Sequence, residues 1–484
     1  MGNAAWTRRS FLGAGATVAA AGVLSACGST LARLTRAAAA PTVLTWRPWS
    51  GFPNGGSSDA IALLQEGIQP WLDQNPGVQV RIQELPDAAA VTAQLVAGNG
   101  PDIFEDAVLA PYSESHLALD LSPYLRREGA AAQVFSASQL APLQGLAPGP
   151  AGLAQYGLPA HTRTVAMAVN RGLLDSLGMT EPQPDWNYQQ WAALWQQVVA
   201  ARAGSYGGQL DWSGYDGSGG NPAPFYLAGF GGEYVDPQNV TRAWIDQPAS
   251  VAALQWCYGL SLSGVCGGAM PADFTSERLA SAPLGTTGGL LTAAEQWQGL
   301  DWNLYSMPIW PRGRLTLGSG EFCAIWSGTH APDVAWSLVR YLCLETAWQR
   351  YLIRLALIGP NQTRLWGEWQ QQLTVQAPPL AKVDLDVFTR ALQEGQLYSG
   401  LSFRFAEQES TRILAAFGRQ VLGGTSVAAA AAAAAQQIDA VQAAEARVLA
   451  AGDAAQAHLR SWASSGTRGA AGGSGGTVVG HPPV

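Results

Sequence analysis

Three short apolar runs decide the fold of this chain, and each has the composition of a β-strand: Thr42-Val43-Leu44-Thr45-Trp46, Val78-Gln79-Val80-Arg81-Ile82 and Asp102-Ile103-Phe104. Apolar residues recur at helical spacing within residues 59–72, and a second helix is expected near residues 88–97. This β-α-β-α-β order predicts parallel strands joined by helical crossovers, and hence an α/β architecture. Sheets of this kind bind ligands beyond the carboxyl ends of their strands.

The same alternation returns further along the chain of 484 residues. Strand-like segments are expected at residues 165–169, 300–307 and 314–326, an amphipathic helix at residues 185–201, and a further helix at residues 332–344. The last third is predicted to be helical and includes eight consecutive alanines, Ala428–Ala435. A chain of this length fits two or three domains.

The charge balance limits the classes of partner. The chain has 27 Lys and Arg against 35 Asp and Glu, a formal net charge of −8. This balance argues against nucleic acid, because phosphates require a basic face. The five histidines are scattered and no cysteines have C-x-x-C spacing, so the sequence predicts no metal and no cofactor. Disulfides and buried free thiols both remain open for the four cysteines Cys257, Cys266, Cys323 and Cys343.

The N-terminus has the features of an exported bacterial lipoprotein. Arg8-Arg9 precedes an uncharged stretch, which resembles a twin-arginine signal, although the general secretory route stays open. Leu24-Ser25-Ala26-Cys27 resembles the lipobox, in which the cysteine is lipidated and becomes the new N-terminus. We therefore expect a signal peptide over residues 1–26, lipidation of Cys27 and a tether over residues 27–41. A transmembrane anchor is the alternative.

A set of motifs along residues 42–450 occurs in a characteristic order: Val43–Gly51, Gln94–Phe104, Leu119–Leu125, Tyr156–Pro159, Val165–Asn170, Asp185-Trp186, Gly229–Gly232, Met307-Pro308, Phe322–Trp326 and Ala331–Trp336. Together they resemble the ABC-transporter extracellular solute-binding proteins of family 1, the sugar-binding type to which maltose-binding protein belongs. The resemblance implies a two-lobed periplasmic-binding-protein fold of type II. Each lobe would be a mainly parallel sheet flanked by helices, with a ligand cleft between the lobes.

The resemblance also implies a division of the chain. Crossings between the lobes are expected near residues 160–166, 283–290 and 318–330. The expected first lobe comprises residues 42–163 and about 284–325, and the expected second lobe comprises residues 164–283 and about 326–460. Residues 461–484 are rich in Gly and Ser and are expected to form a disordered tail.

The candidate ligand-binding residues follow from the chemistry of sugars. A sugar site needs flat aromatic rings that pack against the apolar faces of the sugar ring. It also needs carboxylates, amides or guanidinium groups that hydrogen-bond to the sugar hydroxyls. Trp49 is the foremost candidate because it lies in a Pro/Gly loop with no neighbouring apolar stripe. The full set is Trp49, Ser50, Glu105, Asp106, His161, Arg163, Asn221, Phe225, Tyr226, Phe230 and Glu321. Asp102 is expected to hold backbone amides instead, and helical tryptophans such as Trp191 and Trp348 are expected to pack in the core.

Two departures from the family pattern concern the ligand. Ala223-Pro224-Phe225 occupies the place of a Glu-Pro-Tyr segment in maltose-binding protein, and Leu290 occupies about the place of its sugar-stacking tryptophan. These differences argue against maltose itself as the ligand.

The lipobox and the family resemblance together lead us to expect a lipid-anchored, extracytoplasmic and non-enzymatic monomer that hands a mono- or oligosaccharide to an ABC permease. The alternatives are a cell-surface carbohydrate-active enzyme and a sensory module for a membrane receptor. The only Gly-x-Ser-x-Gly lies in the expected tail, at Gly472–Gly476, where a strained nucleophile elbow cannot form. Adjacent Glu105 and Asp106 point apart on a strand, which disfavours the convergent acids of a glycosidase.

Overall fold

The fold is described by a computed structural model that covers residues 41–466 with short gaps. The gaps are residues 50–57, 85–87, 108, 110–111, 114, 130–132, 147–151, 213–220, 269–271, 287–288, 319, 356–357, 395–396, 399–402 and 404–406. Ser50, Cys27, the signal peptide and nearly all of the tether therefore lie outside the described residues. Within the described part, no helix is both long and apolar enough to cross a membrane.

The first sheet contains five strands: β1 (Thr42–Arg47), β2 (Val78–Ile82), β3 (Ile103–Asp106), β6 (Leu158–Pro159) and β15 (Phe322–Ile325). Their spatial order is β2-β1-β3-β15-β6. The pairs β1–β2 and β1–β3 are parallel, as the sequence predicts, whereas β15 runs antiparallel to β3 and β6. This sheet carries the candidate residues of the first lobe at one edge.

Helices cover both faces of this sheet: α1 (Ser58–Gln74), α2 (Ala88–Val96), α3 (Ser122–Glu128), α4 (Ala137–Leu140), α11 (Pro332–Cys343) and α12 (Thr346–Leu355). Successive residues of β3 separate the two faces. Ile103 belongs to a core with Ile68 of α1 and Leu338 of α11, whereas Phe104 belongs to a core with Val91 of α2. Such alternation follows from the two-residue period of a strand and explains why the whole run is apolar.

The second sheet contains β7 (Val165–Asn170), β10 (Ser281–Gly285) and β11 (Trp302–Tyr305), in the order β10-β7-β11. Both outer strands run antiparallel to β7, which differs from the mainly parallel sheet expected for this lobe. The chain enters through β7 and returns through β10 and β11, so these two are parallel to each other with β7 between them. Helix α10 (Gly289–Gln296) connects them.

The remaining helices are α5 (Arg171–Ser176), α6 (Tyr188–Ala201), α7 (Pro224–Phe230), α8 (Pro248–Leu262), α9 (Ala272–Thr275), α13 (Trp366–Gln376), α14 (Asp386–Gln393), α15 (Glu407–Leu422) and α16 (Val427–Gly466). Short two-stranded ladders are formed by β4 (Gln144–Leu146) with β5 (Leu153–Gln155), β8 (Val235–Asp236) with β9 (Asn239–Ala243), β12 (Ile309–Trp310) with β13 (Gly313–Arg314), and β14 (Thr316–Leu317) with β16 (Leu397–Tyr398). Alanines of α16 such as Ala431 pack against Phe417 of α15. Helix α16 continues past residue 461, the expected start of the tail.

The chain crosses between the two sheets at residues 160–164, at residues 318–321, of which 319 is not described, and at residues 359–364. The first lobe therefore comprises residues 42–159 and 322–358, and the second lobe comprises residues 165–317 and 365–448. This division differs from the one expected from the sequence. Residues 284–317 belong to the second lobe because β10 and β11 pair with β7. Residues 326–355 belong to the first because α11 and α12 share its core.

The three crossing segments lie side by side. The Ala160 N–H donates to the carbonyl oxygen of Glu321 at 2.9 Å, and the Thr162 N–H donates to that of Gly359 at 3.1 Å. Gly320 must be glycine, because a side chain there would overlap the backbone of the first segment. The crossing segments therefore form one hydrogen-bonded unit between the lobes.

All four cysteines in the described part of the chain, at positions 257, 266, 323 and 343, are free and buried. Trp191 and Trp348 are buried in the cores, as the helical spacing predicts.

Candidate ligand-binding site

One edge of the first sheet collects the polar candidates of the first lobe beside the crossing segments. Strands β1 and β3 both end there, which places Trp49 next to Glu105 and Asp106. Strand β6 ends at the same edge, and antiparallel β15 begins there. The register fixes this arrangement, since Phe322, the first residue of β15, pairs with both Asp106 and Pro159. Carboxyl ends of parallel strands are the usual place for a ligand in such sheets.

Glu105 holds the end of β1 and the residue Trp49 that follows it. Its carboxylate accepts hydrogen bonds from the Trp46 indole N–H at 3.2 Å and from the Trp49 backbone N–H at 3.1 Å, and its carbonyl oxygen accepts one from Arg47. Burial raises the pKa of Glu105 to about 6, against the opposing effect of these hydrogen bonds. Glu105 therefore fixes the position of Trp49 and changes charge close to neutral pH.

Trp49 lies against two side chains of the first crossing segment. Its ring centroid is 5.0 Å from that of His161, and the guanidinium carbon of Arg163 is 5.9 Å from the same Trp49 centroid. An indole in contact with a guanidinium group gains a cation–π interaction. The two crossing residues thus order the ring of the foremost candidate.

Glu321 binds both of these crossing residues. Its carboxylate contacts Nε2 of His161 and forms an ion pair with Arg163, whose Nη2 lies 3.3 Å from Oε1. Its side chain is only 1% exposed. Burial by itself would raise the pKa of Glu321, but the neighbouring His161 and Arg163 hold it below the ordinary value. Glu321 is therefore a buried anion that organises the site from within.

Asp106 continues the edge at the end of β3. Its carboxylate accepts hydrogen bonds from the Tyr112 hydroxyl at 2.5 Å and from the Ala107 N–H at 2.7 Å. Burial raises the pKa of Asp106. By contrast, Asp102 accepts hydrogen bonds from the Thr45 N–H and hydroxyl and from the Thr329 hydroxyl, so it ties strands and loops together as expected.

Three second-lobe candidates are buried within that lobe. Phe225 is 0% exposed and Tyr226 is 1% exposed, and the Tyr226 hydroxyl accepts a hydrogen bond from the Asp211 N–H at 3.0 Å. Asn221, also 0% exposed, donates from its side-chain amide to the Leu414 carbonyl oxygen at 3.0 Å. The sequence places Phe225 and Tyr226 beside a loop. In the structure Pro224 starts helix α7, which turns both rings into the core.

Phe230, at the end of α7, lies in an aromatic cluster with Tyr188, Trp256 and Trp310. It is partly buried. Among the described residues, no hydrogen bond, ion pair or ring contact joins any of the four second-lobe candidates to the edge around Trp49. The structure thus brings together Trp49, Glu105, Asp106, His161, Arg163 and Glu321.

Three further residues support this edge and were not predicted from the sequence: Trp46, Arg47 and Tyr112. Arg47 is the last residue of β1 and is 3% exposed. A charged residue directly after an apolar strand could have been recognised in the sequence as a candidate for this edge. Tyr112 left no comparable signal, because its contact with Asp106 depends on the loop after β3. The described residues contain no cluster of three or more His, Cys, Asp or Glu suited to a metal ion.

Residues 55–346 match the family model of the bacterial extracellular solute-binding proteins. The match covers more than half of the chain. The chain belongs to this family. No curated protein sequence matches the chain.

Solved structures of solute-binding proteins share the fold of this family member at low sequence identity. The sugar-binding protein MalE from Xanthomonas citri aligns with a TM-score of 0.64 and 16% identity, covering 84% of this chain and 99% of its own. A cyclic alpha-maltosyl-1,6-maltose binding protein from Arthrobacter globiformis aligns with a TM-score of 0.63 and 17% identity, and the alignment covers 83% of this chain and 99% of that protein. An ABC substrate-binding protein from Listeria monocytogenes in complex with cycloalternan aligns with a TM-score of 0.61 and 16% identity, and the alignment covers 82% of this chain and 98% of that protein. The two-lobed fold expected from the sequence is thereby confirmed.

Proposed function

We propose that this chain is the carbohydrate-binding protein of an ABC transporter, which captures a mono- or oligosaccharide between its lobes and delivers it to the permease. Family membership supports the general role of solute binding. The similar structures support carbohydrate as the solute class, since their names include a cycloalternan complex and a cyclic maltosyl-maltose binding protein. The single observation that carries the proposal is the edge at which Trp49 meets charged side chains.

The proposed binding chemistry divides these side chains by exposure. Trp49 is only partly buried and Arg163 is 31% exposed, so these two offer a ring face and hydrogen-bond donors to a ligand. Asp106, also partly buried, offers a carboxylate for hydroxyl groups. Glu105 and Glu321 are more deeply buried and hold the contacting residues in position. A platform with polar groups around it suits the apolar faces and hydroxyl rims of a sugar.

The proposed mechanism is conformational. Because His161, Arg163 and Glu321 belong to the first two crossing segments, a ligand held by Trp49 and Arg163 also touches the connection between the lobes. A ligand that gains contacts from both lobes favours the closed arrangement by its difference in affinity for the two states. The closed complex is then the form that the permease recognises.

The proposed location is the outer face of the cell membrane. Lipidation of Cys27 after removal of the signal peptide would anchor the protein there as a monomer, and residues 27–41 would allow it to reach the permease. Mass spectrometry of the membrane-associated protein tests this: a diacylglycerol adduct on an N-terminal Cys27 supports the anchor, and an unmodified Cys27 contradicts it.

A thermal-shift screen of the exported protein against a library of mono- and oligosaccharides tests the proposed function. Saturable stabilisation is expected for at least one saccharide, because a ligand at about 100 times its Kd adds about 2.7 kcal/mol to the free energy of unfolding. Chromatography of the same samples checks for turnover. Stabilisation without products supports binding, whereas saccharide cleavage would identify an enzyme and contradict the transporter role.

A further inference from the structure

Glu321 lies in the second crossing segment, but the partners of its carboxylate lie in the first. His161 contacts one oxygen and Arg163 the other, and the backbone of Glu321 also accepts a hydrogen bond from Ala160. Two of the three connections between the lobes are therefore joined through one residue. That residue is 1% exposed.

The burial of this ion pair sets it apart. His161 and Glu321 are 3% and 1% exposed, whereas every ion pair without Glu321 among the described residues has a partner more than one-third exposed. Taking charges out of water is unfavourable, so a buried pair adds little net stability. Losing one partner is strongly unfavourable, however, because the remaining charge is then buried alone. Such a pair therefore restricts conformation more than it stabilises the fold.

We propose that Glu321 is a positioning residue that holds the first and second crossing segments together and thereby sets the relative orientation of the two lobes. Any rotation about the crossing segments must keep the carboxylate in contact with His161 and Arg163. Rotations that separate them leave a charge unpaired in the interior. In the protein without ligand, this contact thus holds the lobes within a narrow range of relative orientations.

Arg163 connects this restraint to the ligand site, a step that rests on the proposed function. Its guanidinium group contacts both Glu321 and the Trp49 ring. Its Nε has no hydrogen-bond partner within the described structure, although that atom is buried. A saccharide hydroxyl that accepts a hydrogen bond from Arg163 would pull on the same group that Glu321 holds. Ligand occupancy is in this way transmitted to the second crossing segment.

The distance between the lobes in solution tests the positioning role without any ligand. We suggest spin labels on exposed helix positions in the first and second lobes, Gln65→Cys and Gln420→Cys, in the full chain with Cys27→Ser. The four remaining cysteines are buried and are not expected to take the label. Double electron–electron resonance then compares the labelled protein with Glu321→Gln, which removes the charge at nearly constant shape. The matched control is Glu368→Gln, which removes an exposed partner of Arg350.

The labelled protein and Glu368→Gln are expected to share one narrow distance distribution, whereas Glu321→Gln broadens or shifts it. Arg163→Lys keeps a positive charge and is expected to preserve the distribution, whereas Arg163→Gln broadens it. Circular dichroism verifies folding, and if Glu321→Gln does not fold, the two Arg163 variants decide. Unchanged distributions for the charge-removing variants would overturn the positioning role. Because no saccharide is added, failure of the carbohydrate proposal leaves this result unaffected.

Discussion

The edge of the first sheet and helix α7 of the second lobe both contain ligand-binding candidates, but they differ in which side chains are buried. At the edge, charged residues are buried and hold partly exposed ones such as Trp49 and Arg163. In α7, the aromatic rings of Phe225 and Tyr226 are completely buried among apolar neighbours. Buried charge with a partly exposed platform indicates a binding site, whereas buried aromatic rings indicate a core.

This difference follows from the energetics of burial. A buried phenyl ring is stabilised by the apolar area it removes from water, and needs no functional reason to be there. A buried carboxylate such as Glu105 or Glu321 is unfavourable without partners, so its presence calls for a role beyond stability. Variants of the two regions are accordingly expected to separate loss of stability from loss of binding.

The largest effect is expected in α7. Phe225→Ala removes a fully buried ring and should lower the free energy of unfolding by about 3–5 kcal/mol. Urea unfolding measures this, with the partly buried Phe230→Ala on the same helix as a milder control. If Phe225→Ala unfolds like the unchanged protein but no longer binds saccharide, α7 is part of the ligand site and the comparison fails.

Asp102 adjoins the edge but is expected to behave like a core residue. Asp102→Ala leaves the Thr45 N–H and two hydroxyl groups without their acceptor, which should lower the free energy of unfolding by about 2–3 kcal/mol. The affinity of the folded variant for a saccharide found in the screen should remain within a factor of about two, well below the tenfold that ~1.4 kcal/mol represents. A selective loss of affinity would move Asp102 into the site.

Glu105 should make stability depend on pH. Its folded pKa of about 6 lies above the ordinary 4.5, so the folded protein binds the proton more tightly than the unfolded chain does. The contribution of Glu105 to stability therefore rises as pH falls from about 6 to 4.5, and its ionised form is unfavourable by about 2 kcal/mol above that range. The advantage of Glu105→Gln over the unchanged protein should accordingly grow by that amount between pH 4.5 and 7.

Glu233 in the second lobe provides the comparison for this measurement. Burial raises its pKa to about 7 although it accepts a hydrogen bond from the Tyr398 hydroxyl, so the advantage of Glu233→Gln should keep growing up to about pH 7. Denaturant unfolding at a series of pH values tests both variants. If the difference in unfolding free energy between Glu105→Gln and the unchanged protein does not depend on pH, burial does not raise the pKa of Glu105.

The smallest change in stability, with a clear change in binding, is expected at Trp49. Trp49→Ala should weaken saccharide binding roughly tenfold or more, about 1.4 kcal/mol, because the stacking platform is lost. Trp256→Ala removes another partly buried indole, in the second lobe, and should leave binding unchanged. Isothermal titration calorimetry compares the two. Equal affinities of Trp49→Ala and the unchanged protein would remove Trp49 from the site.

The first sheet was predictable from the sequence because its strands are short apolar runs separated by helices with regular periodicity. Strand β2 has the predicted bounds, and β1 and β3 differ by no more than two residues. The direction of β10 and β11 was not predictable, since strand pairing depends on contacts distant in sequence. The lobe boundaries differ for the same reason: an apolar segment such as residues 281–285 fits either sheet until its partner is known.

The candidate residues show a similar division. The common location of Glu105 and Glu321 was predictable because the topology of the sheet brings the ends of these strands to one edge, and their role in binding stays a prediction. Asn221, Phe225 and Tyr226 were chosen from a loop-like composition, but local propensity could not show that Pro224 begins a buried helix. Tyr112 was missed because its role arises from a tertiary contact with Asp106.

Hydrogen–deuterium exchange tests most directly whether the edge of the first sheet is the ligand site. The protein is compared with and without the saccharide that gives the largest thermal shift. Protection is expected in peptides covering residues 42–49, 103–107 and 158–165, with little change in residues 221–230. Protection confined to residues 221–230, with the three edge segments unchanged, would contradict the site.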